Sequence, residues 1–161
     1  MDTILLRPII EADNTVLATI IRQALLEFGA AKPGTVYFDE STDYLYQLFM
    51  QPGSVYTVAL LNNTVVGGAG IYPTAALPAH TCELVKMYLS PAARGKGIAG
   101  RLMQQALNHA AAAGYKHVYI ETMPELATAV GMYEKFGFKW LDGPLGNSGH
   151  TGCSIWMLKA L

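Results

Sequence analysis

Residues 90–103 read SPAARGKGIAGRLM, and they set Gly95, Gly97 and Gly100 beside Arg94 just where a long apolar stripe of helical spacing begins. A glycine inside a helix costs roughly 1 kcal/mol relative to alanine. Glycines ahead of a helix let several main-chain N–H groups converge on one point, where the unsatisfied first-turn donors and the helix dipole favour an anion. Arg94 adds a guanidinium that can grip a phosphate through two hydrogen bonds. The chemistry this stretch suits is capture of a phosphate-bearing ligand; a tight turn with close packing is the plainer reading of the same glycines. Other polar groupings say less. His150 and Cys153 have a metal-like spacing, but two donors do not complete a zinc site, and His80, His109 and His117 add no spacing that does, so no metal is expected. His150 reads first as a turn or strand-start residue in the loop DGPLGNSGHTG, and otherwise as the lining of a substrate pocket or a proton relay. Asp39, Glu40 and Asp43, near Tyr37 and Phe38, read as the start of a helix, and otherwise as an attractor for a cationic amine. Cys82 and Cys153 lack a neighbouring motif that would make either a nucleophile, and both read as reduced thiols.

The elements that must position these residues follow from periodicity. Residues 3–9 alternate as a strand, and residues 11–28 carry Val16, Leu17, Ile20, Ile21, Ala24 and Leu25 at helical spacing up to Gly29. A second short helix is expected over 41–50, stopped by Pro52 and Gly53. Residues 54–61 and 64–73 read as a β-hairpin around Asn62 and Asn63, and 80–90 as a third run paired with the second. From 97 to 113 the apolar positions Ile98, Leu102, Met103, Ala106, Leu107 and Ala110 form a helical stripe that Gly114 ends. Residues 116–122 are then a strand, and strand, crossover helix, strand is the parallel unit. Pro124 opens another helix reaching Gly137, and the tail supplies a short strand, FKWL, and a last strand, CSIWMLK. The fold class is α/β, with a mixed, mostly antiparallel sheet.

Composition bounds the function. A chain of 161 residues, 52 % hydrophobic and 14 % charged, buries about 70 % of the surface its unfolded form exposes, enough for one core without staples. A net charge of −1 leaves no electrostatic footprint for duplex nucleic acid or an anionic membrane. The N-terminal MDTILLRPIIEADN carries Asp2, Arg7 and Glu11 and lacks the apolar run of a signal peptide. No run approaches the roughly 18 apolar residues of a membrane span. One domain over residues 1–161, cytoplasmic, is the expectation.

Two phosphate-binding readings compete for the glycines. G-x-G-x-x-G fits Gly95, Gly97 and Gly100, and Glu121 ends the next strand, as a dinucleotide-binding oxidoreductase requires. The context is poor, because Ser90 to Arg94 separate the strand from the first glycine and the preceding strands look antiparallel. The second reading is a family. LVKMYLSPAARGKGIAGRLM resembles the acetyl-coenzyme A signature of the GCN5-related N-acetyltransferases, a hydrophobic strand followed by Arg/Gln-x-x-Gly-x-Gly/Ala, matched by Arg94, Gly97 and Ala99. MYEKFGFKW, residues 132–140, resembles a second hallmark of that family, in the expected order.

The resemblance implies an acetyl-CoA-dependent N-acetyltransferase in which an uncharged amine attacks the thioester directly. It places the pyrophosphate on the amides of Arg94, Gly95, Lys96, Gly97, Ile98, Ala99 and Gly100, with the Lys96 side chain a solvated rim charge. It lays the pantetheine arm against Met87, Tyr88 and Leu89, between strands that splay apart, and gives the backbone there to the oxyanion. Tyr133 stands at the family's tyrosine position and is implied to protonate the leaving thiolate; a core role is its alternative, since Leu126, Val130 and Tyr133 share one stripe. The base is implied to be Glu83 or Glu121, against the reading that they pair with Lys86 or Lys116. Glu83 shares the strand parity of Met87 and Leu89, so its side chain is expected on their face. Many members carry an Asn seven residues before the tyrosine, and here that position is Leu126. The acceptor is a small-molecule or peptide amine, and a homodimer is common in the family. A non-catalytic acyl-CoA-binding module is the rival from another class.

Overall fold

The computed structural model describes residues 1–161. Its centre is a seven-stranded sheet in the order β1-β2-β3-β4-β5-β7-β6. The strands are β1 (Ile4–Pro8), β2 (Val55–Leu61), β3 (Thr64–Tyr72), β4 (Thr81–Leu89), β5 (His117–Thr122), β6 (Lys139–Leu141) and β7 (Ile155–Ala160). Every neighbouring pair is antiparallel except β4 with β5. That exception follows from the helix between them, α3 (Ile98–Ala112), which carries the chain back across the sheet.

Helices cover both faces. Leu17, Ile20, Ile21, Ala24 and Leu25 all fall on one side of α1 (Asn14–Glu27) and are buried. Leu17, Ile21 and Leu25 share an apolar cluster with Tyr56, Val58 and Leu60 of β2. The stripe of α3 does the same on the opposite face, where Leu102, Met103 and Ala106 meet Ala69, Leu84, Val118 and Ile120. On that face lies α4 (Ala127–Lys135), whose end is closed by Gly137 at φ +93. There the Phe138 N–H bonds the Tyr133 carbonyl and the Gly137 N–H bonds that of Glu134, the paired closure that a left-handed glycine permits. Glycine 137 thus turns the chain so that Phe138 packs edge-on against the Tyr133 ring.

Two expected helices are shorter than their sequence pattern. Residues 41–50 form a 3-10 turn, Glu40–Asp43, and then only α2 (Leu45–Leu48). Local bonds outcompete the helix there: the Thr42 hydroxyl donates to the Val36 carbonyl at 2.9 Å, and Arg22 of α1 holds both the Tyr37 carbonyl and the Asp43 carboxylate. The helix expected from Pro124 begins as a 3-10 turn, Pro124–Leu126, before α4.

The decisive irregularity is in β4. Its register with β3 slips between Gly68 opposite Tyr88 and Gly70 opposite Val85, so β4 holds one extra residue, and Lys86 lies in the left-handed region at φ +53. The bulge inverts the alternation of side chains beyond it. Cys82 and Leu84 face the α3 side, and so do Met87 and Leu89, whereas Val85 and Tyr88 face the α1 side. Glu83 therefore points to the face opposite Met87 and Leu89, which corrects the expectation from parity; parity carries over only along a strand without an inserted residue.

Candidate active site

β4 and β5 pair only from Thr81 opposite His117 to Glu83 opposite Tyr119. Beyond that point each strand stays bound to its other neighbour, β4 to β3 as far as Leu89 and β5 to β7 as far as Thr122. The sheet is split into a wedge. Glu83 marks its closed end, Met87 and Tyr88 line one wall, Thr122 and Tyr133 the other. A second, contiguous cavity carries the wedge past Leu89 and Arg94 to Ala99 at the start of α3.

At that outer end the backbone does the work. Gly95 and Gly97 have φ of +74 and +76, and a Cβ built on Gly95, Gly97 or Gly100 would meet no atom within 4 Å. These glycines are not needed for packing against the rest of the chain; two of them make the turn and all three keep its outer surface bare. None of the N–H groups of residues 95–100 finds an acceptor within the protein, and the first helical bond is from the Arg101 N–H to the Gly97 carbonyl. Consecutive unpartnered donors at the positive end of a fifteen-residue helix make an anion cradle. Arg94 is more constrained than its sequence position implied. Its guanidinium donates to the Leu89 carbonyl at 3.1 Å, pairs with Glu27 and lies 4.9 Å over the Phe28 ring, tying the loop to β4 and α1. Lys96 pairs with Asp2 at 2.7 Å on the rim.

Midway along the wedge, the Thr122 hydroxyl is buried without a hydrogen-bond partner. Sequence reasoning passed over Thr122, because a threonine at a strand end carries no signal of its own. Tyr133 also lines the wedge with a hydroxyl that makes no bond in the chain, and burial pushes its pKa up to about 12, so the phenol keeps its proton across the physiological range. Leu126, in the position of the family's Asn, supplies only apolar surface.

The closed end gathers charge from four parts of the chain. Atoms of Glu83, Glu121 and His150 that could each hold a proton lie within 4.8 Å of one another. The Thr74 hydroxyl donates to one oxygen of Glu83 at 2.6 Å, and the other oxygen has no partner. Burial, reinforced by the charge of Glu121, raises the Glu83 pKa to about 7 against the pull of Thr74, His150 and Lys86. Glu121 is held on both oxygens, by the Tyr119 hydroxyl at 2.6 Å and by the Ser148 hydroxyl. Neither carboxylate pairs with a lysine. Lys86 instead reaches Asp39 at 3.4 Å, and Asp39 also bonds His150 Nε2 at 2.6 Å. Burial works against the charged imidazole, but the hydrogen bond and charge of Asp39 outweigh it and hold the His150 pKa above its ordinary value. Asp39, Lys86 and His150 thus join the site from the junction of two 3-10 turns, a bulge and a loop. Burial pushes the Cys82 and Cys153 thiols up to about 12, which keeps both from acting as nucleophiles.

A buried carboxylate titrating near neutrality, a protonated phenol and an anion cradle on one wedge form the equipment for transferring an acyl group from a phosphate-bearing carrier. The comparisons agree. The model of the acetyltransferase (GNAT) family matches residues 18–138. An uncharacterized N-acetyltransferase of Escherichia coli K12, YjgM, is 42 % identical over 150 residues, covering 92 % of this chain and 90 % of that one. A GNAT-family acetyltransferase of Staphylococcus aureus Mu50 superposes with a TM-score of 0.86 at 16 % identity, over 98 % of this chain and 99 % of the other. The PaiA N-acetyltransferase of Thermoplasma acidophilum, solved with coenzyme A, gives 0.77 at 18 % identity and 99 % coverage of both chains. No helix of the protein is long and apolar enough to cross a membrane. The wedge, the cradle and the relatives together place the chain in the acetyltransferase (GNAT) family, N-acetyltransferases whose acetyl donor is acetyl-CoA.

Proposed function

We propose that Glu83 and Tyr133 are the acid–base pair of this N-acetyltransferase, with the amides of residues 95–100 holding the pyrophosphate and the wedge holding the arm that carries the thioester. The observation that carries the reading is the buried Glu83, with one oxygen free and a pKa of about 7, at the closed end of the split between β4 and β5. Attack of an uncharged amine on the thioester carbonyl yields a tetrahedral oxyanion, and its collapse releases a thiolate. Glu83 takes the proton that the incoming ammonium must lose, and a carboxylate titrating near the working pH is suited to that task. Glu121, saturated by Tyr119 and Ser148, fits the base less well and sets the charge that keeps Glu83 high. Tyr133 holds its proton and gives it to the departing sulfur. Beyond Glu83 the β5-facing edge of β4 has no strand partner, so main-chain donors from Met87 to Leu89 are placed to hold the oxyanion and the amides of the arm. Thr122 offers those amides the side-chain bond that Leu126 does not.

Release of free thiol from acetyl-CoA, followed across a panel of amines, tests the reading. Amine-dependent release that Glu83→Gln abolishes supports it. Tight binding of acetyl-CoA with no release above background for any amine makes the chain a non-catalytic binding module.

A further inference from the structure

Beyond the wedge a third cavity opens from Glu83 toward the surface, walled by Thr74, Lys86, His150, Asp39 and Ser41, with Asn147 at its mouth. It is the face from which an acceptor would reach the thioester. The two ends of this cavity are chemically opposite. Its inner end holds Glu83 and His150, with the Glu121 carboxylate behind them in the wedge and within 4.8 Å of both, a place for an ammonium group. Its wall holds Lys86, whose side chain is only 5 % exposed and which has a single partner, Asp39, at 3.4 Å. An ammonium has three donors. A buried one with a lone, long hydrogen bond is costly unless something else enters to use the rest. The backbone emphasises the point: Lys86 sits at the β4 bulge with φ +53, a conformation lysine seldom adopts, and the bulge is what directs this side chain into the cavity. Asp39 cannot serve Lys86 alone, because the same oxygen is taken by His150 at 2.6 Å.

We propose that the acceptor is an amino acid: its ammonium group is received at Glu83 and its carboxylate by Lys86. The proposal rests on the acetyltransferase reading and deepens it. A simple amine would leave Lys86 half-satisfied, and so would a peptide N-terminus, whose nearest carbonyl is a neutral amide. A carboxylate on the same small molecule completes the hydrogen bonding of Lys86 and pins the amine in register with the thioester. The reaction balances on these residues. The N–C bond forms as the C–S bond breaks; of the three ammonium protons one stays on the amide, one leaves to solvent through Glu83, and one ends on the sulfur, relayed by Tyr133.

The test compares L-amino acids with their decarboxylated amines, their methyl esters and short peptides, using the full-length protein and thiol release from acetyl-CoA. The expected result is a kcat/KM for amino acids roughly 10- to 100-fold above the matched amines and esters, the range of a hydrogen bond to a charged group. Lys86→Met should erase that preference by raising KM for the amino acids, while the Kd for acetyl-CoA stays put. The comparison on the unaltered protein needs no variant and so survives a folding failure of Lys86→Met. Equal turnover of amines without a carboxylate, a preference for peptide N-termini, or a preference that Lys86→Met leaves intact would each overturn the proposal while acetyl transfer stands. Acetyl-CoA binding with no acceptor acetylated would sink the acetyltransferase mechanism along with it.

Discussion

The wedge between β4 and β5 has two ends built on different principles. The cradle at residues 95–100 presents unpartnered main-chain N–H groups from one continuous stretch, and its side chains either point elsewhere, as Lys96 does toward Asp2, or are absent. The closed end works with side chains: Asp39, Thr74, Glu83, Lys86, Glu121, Ser148 and His150 come from segments more than a hundred residues apart and touch only because the sheet and its loops fold around them. A backbone site tolerates changes of side chain and fails when the backbone path changes. The side-chain site depends on individual atoms, and each polar neighbour tunes the proton affinity of the next.

That contrast can be broken at several points. The largest effect is expected from Glu83→Gln, which removes the proposed base: kcat/KM should fall by about 10³-fold, with acetyl-CoA binding unchanged by calorimetry. The pH profile sharpens it. Because the Glu83 pKa is raised to about 7, the group is protonated and idle below that pH, so kcat/KM should climb as pH passes through about 7 and the limb should vanish in Glu83→Gln. A limb that persists would give the base role to another group. Tyr133→Phe is next, with turnover down by about 10²-fold and little change in the Kd for acetyl-CoA. At the cradle the order reverses, and Gly97→Glu should weaken acetyl-CoA binding by roughly 10- to 100-fold, since a side chain at φ +76 costs about 1–2 kcal/mol and its carboxylate repels the diphosphate. The smallest effect is the most discriminating. Thr122→Val removes a buried hydroxyl that has no partner, so thermal stability should rise slightly, while acetyl-CoA binds several-fold more weakly because the arm loses its bond. Weaker stability and unchanged binding would show that Thr122 plays no part in the wedge.

The same contrast explains what could be read from the sequence. Gly95, Gly97 and the stripe of α3 are contiguous, so spacing points to an anion-binding turn beside the plainer reading of close packing, and the alternating runs give the sheet from β1 to β7. Glu83, Glu121 and Tyr133 were legible as polar residues on assigned elements. The orientation of Glu83 was not, because the bulge at Lys86 leaves no sequence mark; a lysine in the left-handed region is imposed by tertiary packing. From sequence Lys86 reads only as an alternative partner for Glu83 or Glu121, and it joins Asp39, forty-seven residues away. His150 sits in a glycine-rich loop with no periodicity, and only its hydrogen bond to Asp39 reveals its place. Thr122 is visible solely as an unsatisfied atom.

A crystal structure with coenzyme A bound tests the account most directly. The diphosphate is expected on the N–H groups of residues 95–100, with the arm between β4 and β5 past Thr122 and the sulfur beside Tyr133 on the side of Glu83. Coenzyme A lodged outside the wedge, or with its sulfur directed away from Glu83, would contradict it.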